Sequence, residues 1–243
     1  MKTLNSNKGW ALSHRTQFCI VALALTFLCG CASSSYRKSD EAAYSLQKAA
    51  TAVNAESQAI DVTLAAMDDL VNKPRGELKP QYDRFNDALN RLIDSSDRAE
   101  KAADKASERS ADYFQSWDKD LSTINYEAIR NQAETRKAEV SGQLNTVNGR
   151  YRENQDVIHP LIIYFQDIRT ALGADLTAGG LQAVKPLASN AEQNARKVQM
   201  ALARLAEELS VSGARMSSVF PRSEPKGGVA DASQVSQSSA SAR

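Results

Sequence analysis

Cysteine and histidine are scarce in this chain of 243 residues, which contains three cysteines and two histidines. The cysteines are Cys19, Cys29 and Cys31, and His159 is the one histidine that follows them in the chain. This scarcity excludes the usual zinc and iron–sulfur ligand sets, a Cys–His catalytic pair and disulfides within the main body of the chain. We therefore expect no metal, no cofactor and no catalytic residue, and we interpret the protein as not an enzyme.

Glycine and proline are also few, at 11 and 6 residues, which argues against an all-β chain with its many turns. The 30 Lys and Arg residues nearly balance the 29 Asp and Glu residues, which excludes a strongly basic nucleic-acid-binding protein. Hydrophobic residues make up 42% of the chain, but 37 residues are alanine. Such a composition favours thin, alanine-rich helical seams over one thick globular core.

The first 30 residues have the pattern of a secretory signal peptide. Lys2, Lys8 and Arg15 give a positive start, and no acidic residue precedes Asp40. An apolar run of 11 residues follows at Phe18–Leu28. This run is too short to span a bilayer, which needs about 20 residues, and it matches the apolar region of a signal peptide.

The end of this segment, Leu28-Cys29-Gly30-Cys31, resembles the lipobox of bacterial lipoproteins. The resemblance implies cleavage after Gly30, with Leu28 and Gly30 flanking the cleavage site, and diacylation of the Cys31 thiol. Two or more acyl chains hold a protein stably on a membrane. Ala32 stands where Asp would mark retention in the inner membrane of enterobacteria, so the resemblance implies an outer-membrane protein that faces the periplasm. The alternative is an uncleaved signal anchor, which the short apolar run disfavours.

Cleavage would leave a chain with a net charge of −2, because residues 1–30 carry three basic side chains and no acidic one. Residues 31–38 then form a short, serine-rich lipidated tether, and residues 39–220 form one helical domain. Residues 221–243 are dominated by Ser, Ala, Gly and Gln, a composition that predicts a disordered tail.

Four segments repeat apolar or small residues in alternating steps of three and four, which predicts amphipathic helices with coiled-coil-like packing. The first helix is expected over about 39–71 with Ser39 as its cap, and the second begins at Pro80. The third extends from Tyr126 to Leu172, and the regular part of the fourth begins at or just before Pro186. Predicted seam positions include Ser57 and Leu64 in the first helix, Tyr82, Tyr113 and Trp117 in the second, Tyr126, Ile129, Ala133 and Arg136 in the third, and Leu181, Val184, Ala188, Ala191, Ala195, Val198, Leu202, Leu205 and Leu209 in the fourth.

Turns are expected at Pro74–Pro80, at Ser122–Asn125 and between Gly173 and Gly180, and they separate long helices with short connections. This predicts an all-α fold, an elongated up-and-down antiparallel bundle of four long helices. Pro160 lies inside the third helix, where it predicts a kink or a break.

The up-and-down topology places aromatic residues at both ends of the bundle. Tyr82 and Phe85 are expected near Leu161 and Phe165 at the end away from the lipid. Four other aromatic residues are expected at the membrane-proximal end: Tyr113, Phe114, Trp117 and Tyr126. They are either core residues at the end of the bundle or, for Phe114 and Trp117, contacts with the lipid interface, where such side chains are favoured.

Three short motifs resemble a bacterial family of uncharacterised helical proteins, the domain-of-unknown-function family 2959. They are Trp117–Leu121 (WDKDL), Ile129-Arg130, and Val157–Leu161 (VIHPL) leading to Phe165–Asp167 (FQD). The resemblance covers about residues 40–215 and implies a helical, lipoprotein-like protein without a known activity. The chain departs from the family at Ala171–Leu176, where a basic, Asn-containing stretch is expected.

Three classes of function remain open on these grounds. The first is a non-enzymatic, lipid-anchored periplasmic scaffold or adaptor of the cell envelope, which binds protein partners or itself through helix faces. The second is a helical body that binds or shapes membranes, which requires a basic concave face. The third is a carboxylate-based envelope hydrolase, but no Arg, His or cleft-forming loop groups with the acidic residues. The membrane is expected as a partner through the lipid on Cys31, and nucleic acid is not.

Overall fold

The computed structural model describes residues 35–219, which form four long helices joined by short turns. The helices are α1 (Ser35–Asn72), α2 (Lys79–Leu121), α3 (Glu127–Ala174) and α4 (Ala178–Met216). No strand occurs in this part of the chain. The predicted signal peptide, Cys31 and the predicted tail lie outside the described residues.

The four helices form a ring in which each packs against its neighbours in sequence and α4 closes against α1. Polar contacts between helix ends show that neighbours are antiparallel. Gln81, near the start of α2, donates to the Asp69 and Lys73 carbonyls at the end of α1, at 2.6 and 3.0 Å. The Tyr82 hydroxyl donates to the Arg169 carbonyl near the end of α3, at 3.2 Å. The predicted all-α, up-and-down bundle is thus confirmed.

The core consists of the apolar seams, and the α4 seam is confirmed in full, since all nine predicted positions are buried. Small residues let α1 and α4 approach closely. A Cβ atom on Gly213 would lie 2.9 Å from the Ala43 carbonyl oxygen, so this position has no room for a side chain. In α2 the middle of the seam is likewise made of small buried residues: Ser96, Ala99, Ala103, Ala106 and Ser110.

The seam prediction is wrong by one residue at two positions of α1. Glu56 and Thr63 are buried, whereas Ser57 and Leu64 are only partly buried. The Thr63 hydroxyl donates to the Ala59 carbonyl at 2.8 Å, so its burial leaves no unsatisfied donor. Helical steps of three and four are interchangeable locally, and the polarity of Glu56 favoured the wrong choice.

The starts of two helices also differ from the prediction. α1 begins at Ser35, and Ser39 is not its cap, because the Ser39 hydroxyl donates to the Met216 carbonyl at the end of α4. α4 begins at Ala178, eight residues before Pro186. Its cap is Thr177, whose hydroxyl oxygen accepts from the Gly180 amide at 3.3 Å, as polar N-cap side chains do.

Proline interrupts neither α3 nor α4. Of the two alternatives predicted at Pro160, the break is therefore wrong, and the kink stays a prediction. Pro160 and Pro186 both lie on exposed faces of continuous helices. A proline leaves the carbonyl four residues earlier without its helical donor. At both prolines the residue carrying that carbonyl, Asp156 or Gln182, is exposed, so water can supply the missing donor.

Glycine does not form the turn between α3 and α4, which consists of residues 175–177. Gly173 lies in the last turn of α3, one residue before its end, and Gly180 lies in the first turn of α4. A Cβ atom on Gly180 would lie 2.0 Å from the Asp175 carbonyl oxygen. Glycine is therefore required here for a close approach between backbones.

Candidate functional site

Two regions of the bundle combine polar or exposed apolar groups in a way that packing alone does not require. One is the end of the bundle at which α1 begins, called here the N-terminal end. The other is a buried polar layer midway along the bundle. The predicted lipid-attachment residue Cys31 and its flanking residues Leu28 and Gly30 lie outside the described residues.

Hydrogen bonds tie the start of α1 to the ends of α2 and α4 and so define the N-terminal end. The Ser35 hydroxyl donates to the Asp120 carboxylate and shares a 2.8 Å hydrogen bond with the Ser116 hydroxyl. The Asp40 carboxylate accepts from the amide and the hydroxyl of Ser218, both at 2.7 Å. The first residue of α1 is thus held level with the last turn of α2.

Three of the four predicted membrane-proximal aromatics form a cluster just inside this end, and Tyr126 is not among them. Tyr113 lies 5.5 Å from Phe114 and 5.3 Å from Trp117 between ring centroids, and Phe114 stacks on Trp117 at 6.5 Å. All three are half-buried, and Tyr113 and Phe114 pack against the main core. Burial raises the pKa of Tyr113, and the Ser39 hydroxyl partly offsets this effect. Ring stacking and core contact give Phe114 and Trp117 a packing role; lipid contact by either residue stays a prediction.

The first turns of α3 differ most from the prediction. The predicted seam residues Tyr126, Ile129 and Arg136 are exposed, and the first buried residue of α3 is Val140. Tyr126 is 77% exposed and Ile129 is 59% exposed. The amphipathic pattern is real, but this part of α3 extends beyond the ends of the helices that would cover it.

A groove of about 420 Å³ lies between this segment of α3 and the end of α2. The Lys137 ammonium group and the Asp118 carboxylate form an ion pair across it. A second groove of about 280 Å³ lies on the other side of the end of α2, beside Trp117 and Met216. Both are open surface depressions lined by residues of mixed polarity, and neither encloses a substrate.

The buried polar layer is centred on Glu56, which is 1% exposed. Its Oε1 atom accepts no hydrogen bond from any described residue. Burial raises the pKa of Glu56, while the Ser96 hydroxyl and the charge of His159 act in the opposite direction. A carboxyl group in these surroundings favours its neutral form.

Tyr151 of α3 faces the same layer and accepts a 2.9 Å hydrogen bond from the Gln155 side-chain amide. Burial raises the pKa of Tyr151, and the charges of Glu100 and Glu56 raise it further. The side-chain carbonyl oxygens of Asn154 and Gln155 are buried without a hydrogen-bond donor among the described residues. The sequence offered a partial signal for this layer, because Tyr151 and Asn154 continue the steps of three and four along the third predicted helix. It gave no signal for Glu56.

The arrangement of His, Asp and Glu does not resemble a metal centre. Within residues 35–219 these side chains form no group of three or more that could hold a metal ion. His159 lies on an exposed face of α3. None of the four helices has an apolar stretch of the length needed to cross a bilayer.

The fold and these sites define an all-α bundle protein with a polar interior layer and an uncovered amphipathic end. The chain belongs to the family described as Protein of unknown function (DUF2959), whose model matches residues 31–218. The predicted family resemblance is thus confirmed over a slightly longer range than expected. Neither the curated proteins nor the solved structures include a match to this chain.

Proposed function

We propose that this protein is a lipid-anchored scaffold or adaptor of the bacterial cell envelope, that it faces the periplasm from the outer membrane, and that it is not an enzyme. The observation that carries the proposal is a coincidence at Cys31. This residue is the acylated N-terminus that the lipobox pattern Leu28–Cys31 implies, and it is also the first residue of the family match. The residues before it therefore have the position expected of a targeting segment that precedes the family domain.

The form of the bundle supports a scaffold role. At about 1.5 Å per residue, the 48 residues of α3 extend over roughly 70 Å. Single apolar side chains are exposed along the sides of the bundle, among them Val62 at 51%, Ile163 at 55% and Met200 at 68%. Such residues offer contact points for another protein, and a long rigid body would present them at a distance from the membrane. A membrane-shaping body is less favoured, because residues 35–219 contain 27 acidic and 24 basic side chains.

The anchoring part of the proposal is tested by incorporation of a labelled fatty acid in cells. Cys31→Ser removes the thiol that would carry the diacylglycerol, so the label should be lost. Cys29→Ser is the matched control, because it removes a neighbouring thiol but keeps a small residue at that position; it should retain the label. Labelling that survives Cys31→Ser would refute lipidation at this residue.

Ala32→Asp should move the protein to the inner-membrane fraction where enterobacterial sorting applies, and unchanged fractionation would contradict the proposed sorting.

The scaffold part is tested by photo-crosslinking in intact cells. A photoreactive residue at Met200 or Ile163 should give a discrete crosslinked product, either with a partner or with a second copy. The charged, exposed position Glu153 is the control. The proposal would be contradicted if a photoreactive residue gave only uncrosslinked monomer at Met200, at Ile163 and at Val62. That result would argue against binding through the sides of the bundle.

A further inference from the structure

The start of α3 extends farther than any other described helix at the N-terminal end of the bundle. Lys137 pairs with Asp118 of α2, and the same last turns of α2 bind Ser35 through Ser116 and Asp120. Lys137 and Ser35 therefore lie at a similar height along the bundle. Glu127 begins α3 ten residues before Lys137, and ten helical residues rise by about 15 Å. The corner between α2 and α3, residues 121–137, thus extends about 15 Å past the start of α1.

The tip of this corner is amphipathic. Tyr126 and Ile129 are three residues apart, are 77% and 59% exposed, and so share one side of the helix start. The Arg130 guanidinium group folds back to the Ile124 carbonyl at 3.4 Å, which closes the corner on itself. The segment carries two acidic and three basic side chains, so neither sign of charge dominates. An exposed tyrosine and isoleucine on a nearly neutral tip fit the boundary between lipid headgroups and acyl chains.

We propose that the α2–α3 corner is a second, non-covalent membrane contact, in which Tyr126 and Ile129 enter the headgroup region of the membrane that holds the anchor. The inference rests on the proposed lipidation of Cys31. Four residue steps separate Cys31 from Ser35, and a fully extended chain covers at most about 14 Å in four steps. The tether therefore cannot hold the start of α1 farther from the membrane than the corner extends. Two attachment points would also fix the orientation of the bundle, which one attachment point alone would not.

Tryptophan quenching by brominated phospholipid tests the contact. The chain beginning at Cys31 has no other thiol and retains Trp117 as its one tryptophan. It can be coupled through Cys31 to a maleimide phospholipid in phosphatidylcholine vesicles, whether or not cells acylate that residue. In a Trp117→Phe background, Tyr126→Trp should lose about half of its emission when the vesicles carry bromine near the headgroups.

The control for position is Glu77→Trp in the same background, in the turn at the opposite end of the bundle. Glu77 is exposed, and the 43 residues of α2 place it about 60 Å from the corner. Its emission should not change. Equal emission from Tyr126→Trp with and without brominated lipid would overturn the proposal, as would equal quenching of the two variants. Circular dichroism of each variant establishes that the helices are intact.

A second pair of substitutions tests the side chains of the tip. Adding Ile129→Asp to the Tyr126→Trp variant places a charge at the interface and should abolish most of the quenching. Met200→Asp is the matched control, since Met200 is 68% exposed on the side of the bundle, and it should leave the quenching unchanged. Equal effects of the two substitutions would overturn the proposal.

Two further outcomes distinguish the membrane contact from self-association of the chain and from the proposed anchoring at Cys31. A shift in the emission of the Tyr126→Trp variant that depends on protein concentration without lipid would assign the corner to a second copy of the chain and overturn the membrane contact. Labelling in cells that does not depend on Cys31 would refute the proposed anchoring. The vesicle experiment reports on the corner alone, because the coupling there is chemical.

Discussion

Glu56 offers the sharpest test of the energetics of the bundle, through the substitution Glu56→Met. Methionine keeps the length and flexibility of the glutamate side chain and fills irregular core space well. The substitution removes a carboxyl group that is 1% exposed and whose Oε1 atom has no donor among the described residues. A buried polar group without a partner costs about 1–3 kcal/mol, and a charged one costs more. We expect the free energy of unfolding at pH 7 to rise by about 1–3 kcal/mol.

The sign of the pH dependence follows from the direction of the pKa shift. Burial raises the pKa of Glu56 in the folded protein above its ordinary value of 4.5, so the folded state holds this proton more tightly than the unfolded state. The contribution of Glu56 to stability is therefore greatest below pH 4.5 and declines as the pH rises through the folded-state pKa. The advantage of Glu56→Met should accordingly be smaller at pH 4 than at pH 7.

Thermal unfolding followed by circular dichroism measures both effects. For a domain of this size, each kcal/mol shifts the Tm by about 2–4 °C, so an increase of roughly 2–12 °C is expected at pH 7. The control is Glu153→Met on an exposed face of α3, which should give no pH-dependent gain. A lower Tm for Glu56→Met at pH 7, or the same gain at pH 4 and pH 7, would refute the reasoning.

Four other substitutions test the packing by the same thermal assay. Leu202→Asp places an unpaired charge on the buried α4 seam, where Leu202 is 1% exposed, and should cost several kcal/mol, about 3 or more. Asp104→Asn, on an exposed face of α2, should change stability by less than about 0.5 kcal/mol; equal effects of these two would contradict the seam. Gln81→Ala removes the donor to the end of α1 and should cost about 1–3 kcal/mol; no loss would show that water replaces the amide. Gly180→Val would force the α3–α4 turn apart and should lower the Tm clearly, and an unchanged Tm would contradict the close approach to Asp175.

The fold was largely predictable because its signals are local and redundant. The α4 seam has large aliphatic residues or alanine at strict spacing from Leu181 to Leu209, and no polar residue competes for those positions. The turn predicted at Pro74–Pro80 and the start of α2, where Pro80 is the second residue, depend on the backbone of proline itself. Each feature identifies its own element without reference to the rest of the molecule, so a single sequence suffices.

The predictions that were wrong concern positions whose environment depends on residues far away in the chain. Ser39 precedes two acidic residues, as a helix cap often does, yet its hydroxyl bonds to Met216, 177 residues later. Glu56 and Ser57 fit the helical spacing equally well, and only the assembled bundle decides which one faces the interior. The prolines Pro160 and Pro186 are tolerated because their faces remain exposed, which again depends on how the helices pack.

The start of α3 shows what a periodic pattern can predict. The pattern indicates that a helix has an apolar side, but it does not indicate what that side packs against. Tyr126 and Ile129 continue the spacing of the α3 seam, and their burial was therefore predicted within the bundle. The helices that pack against α3 are α2, which ends at Leu121, and α4, which ends at Met216. Both stop before they can cover the first turns of α3. An apolar side that extends past the protein core is stabilised only by contact with something else. Cys31 lies four residues before α1 at the same end, and a lipid-bound Cys31 would bring a bilayer to the place where the helices stop.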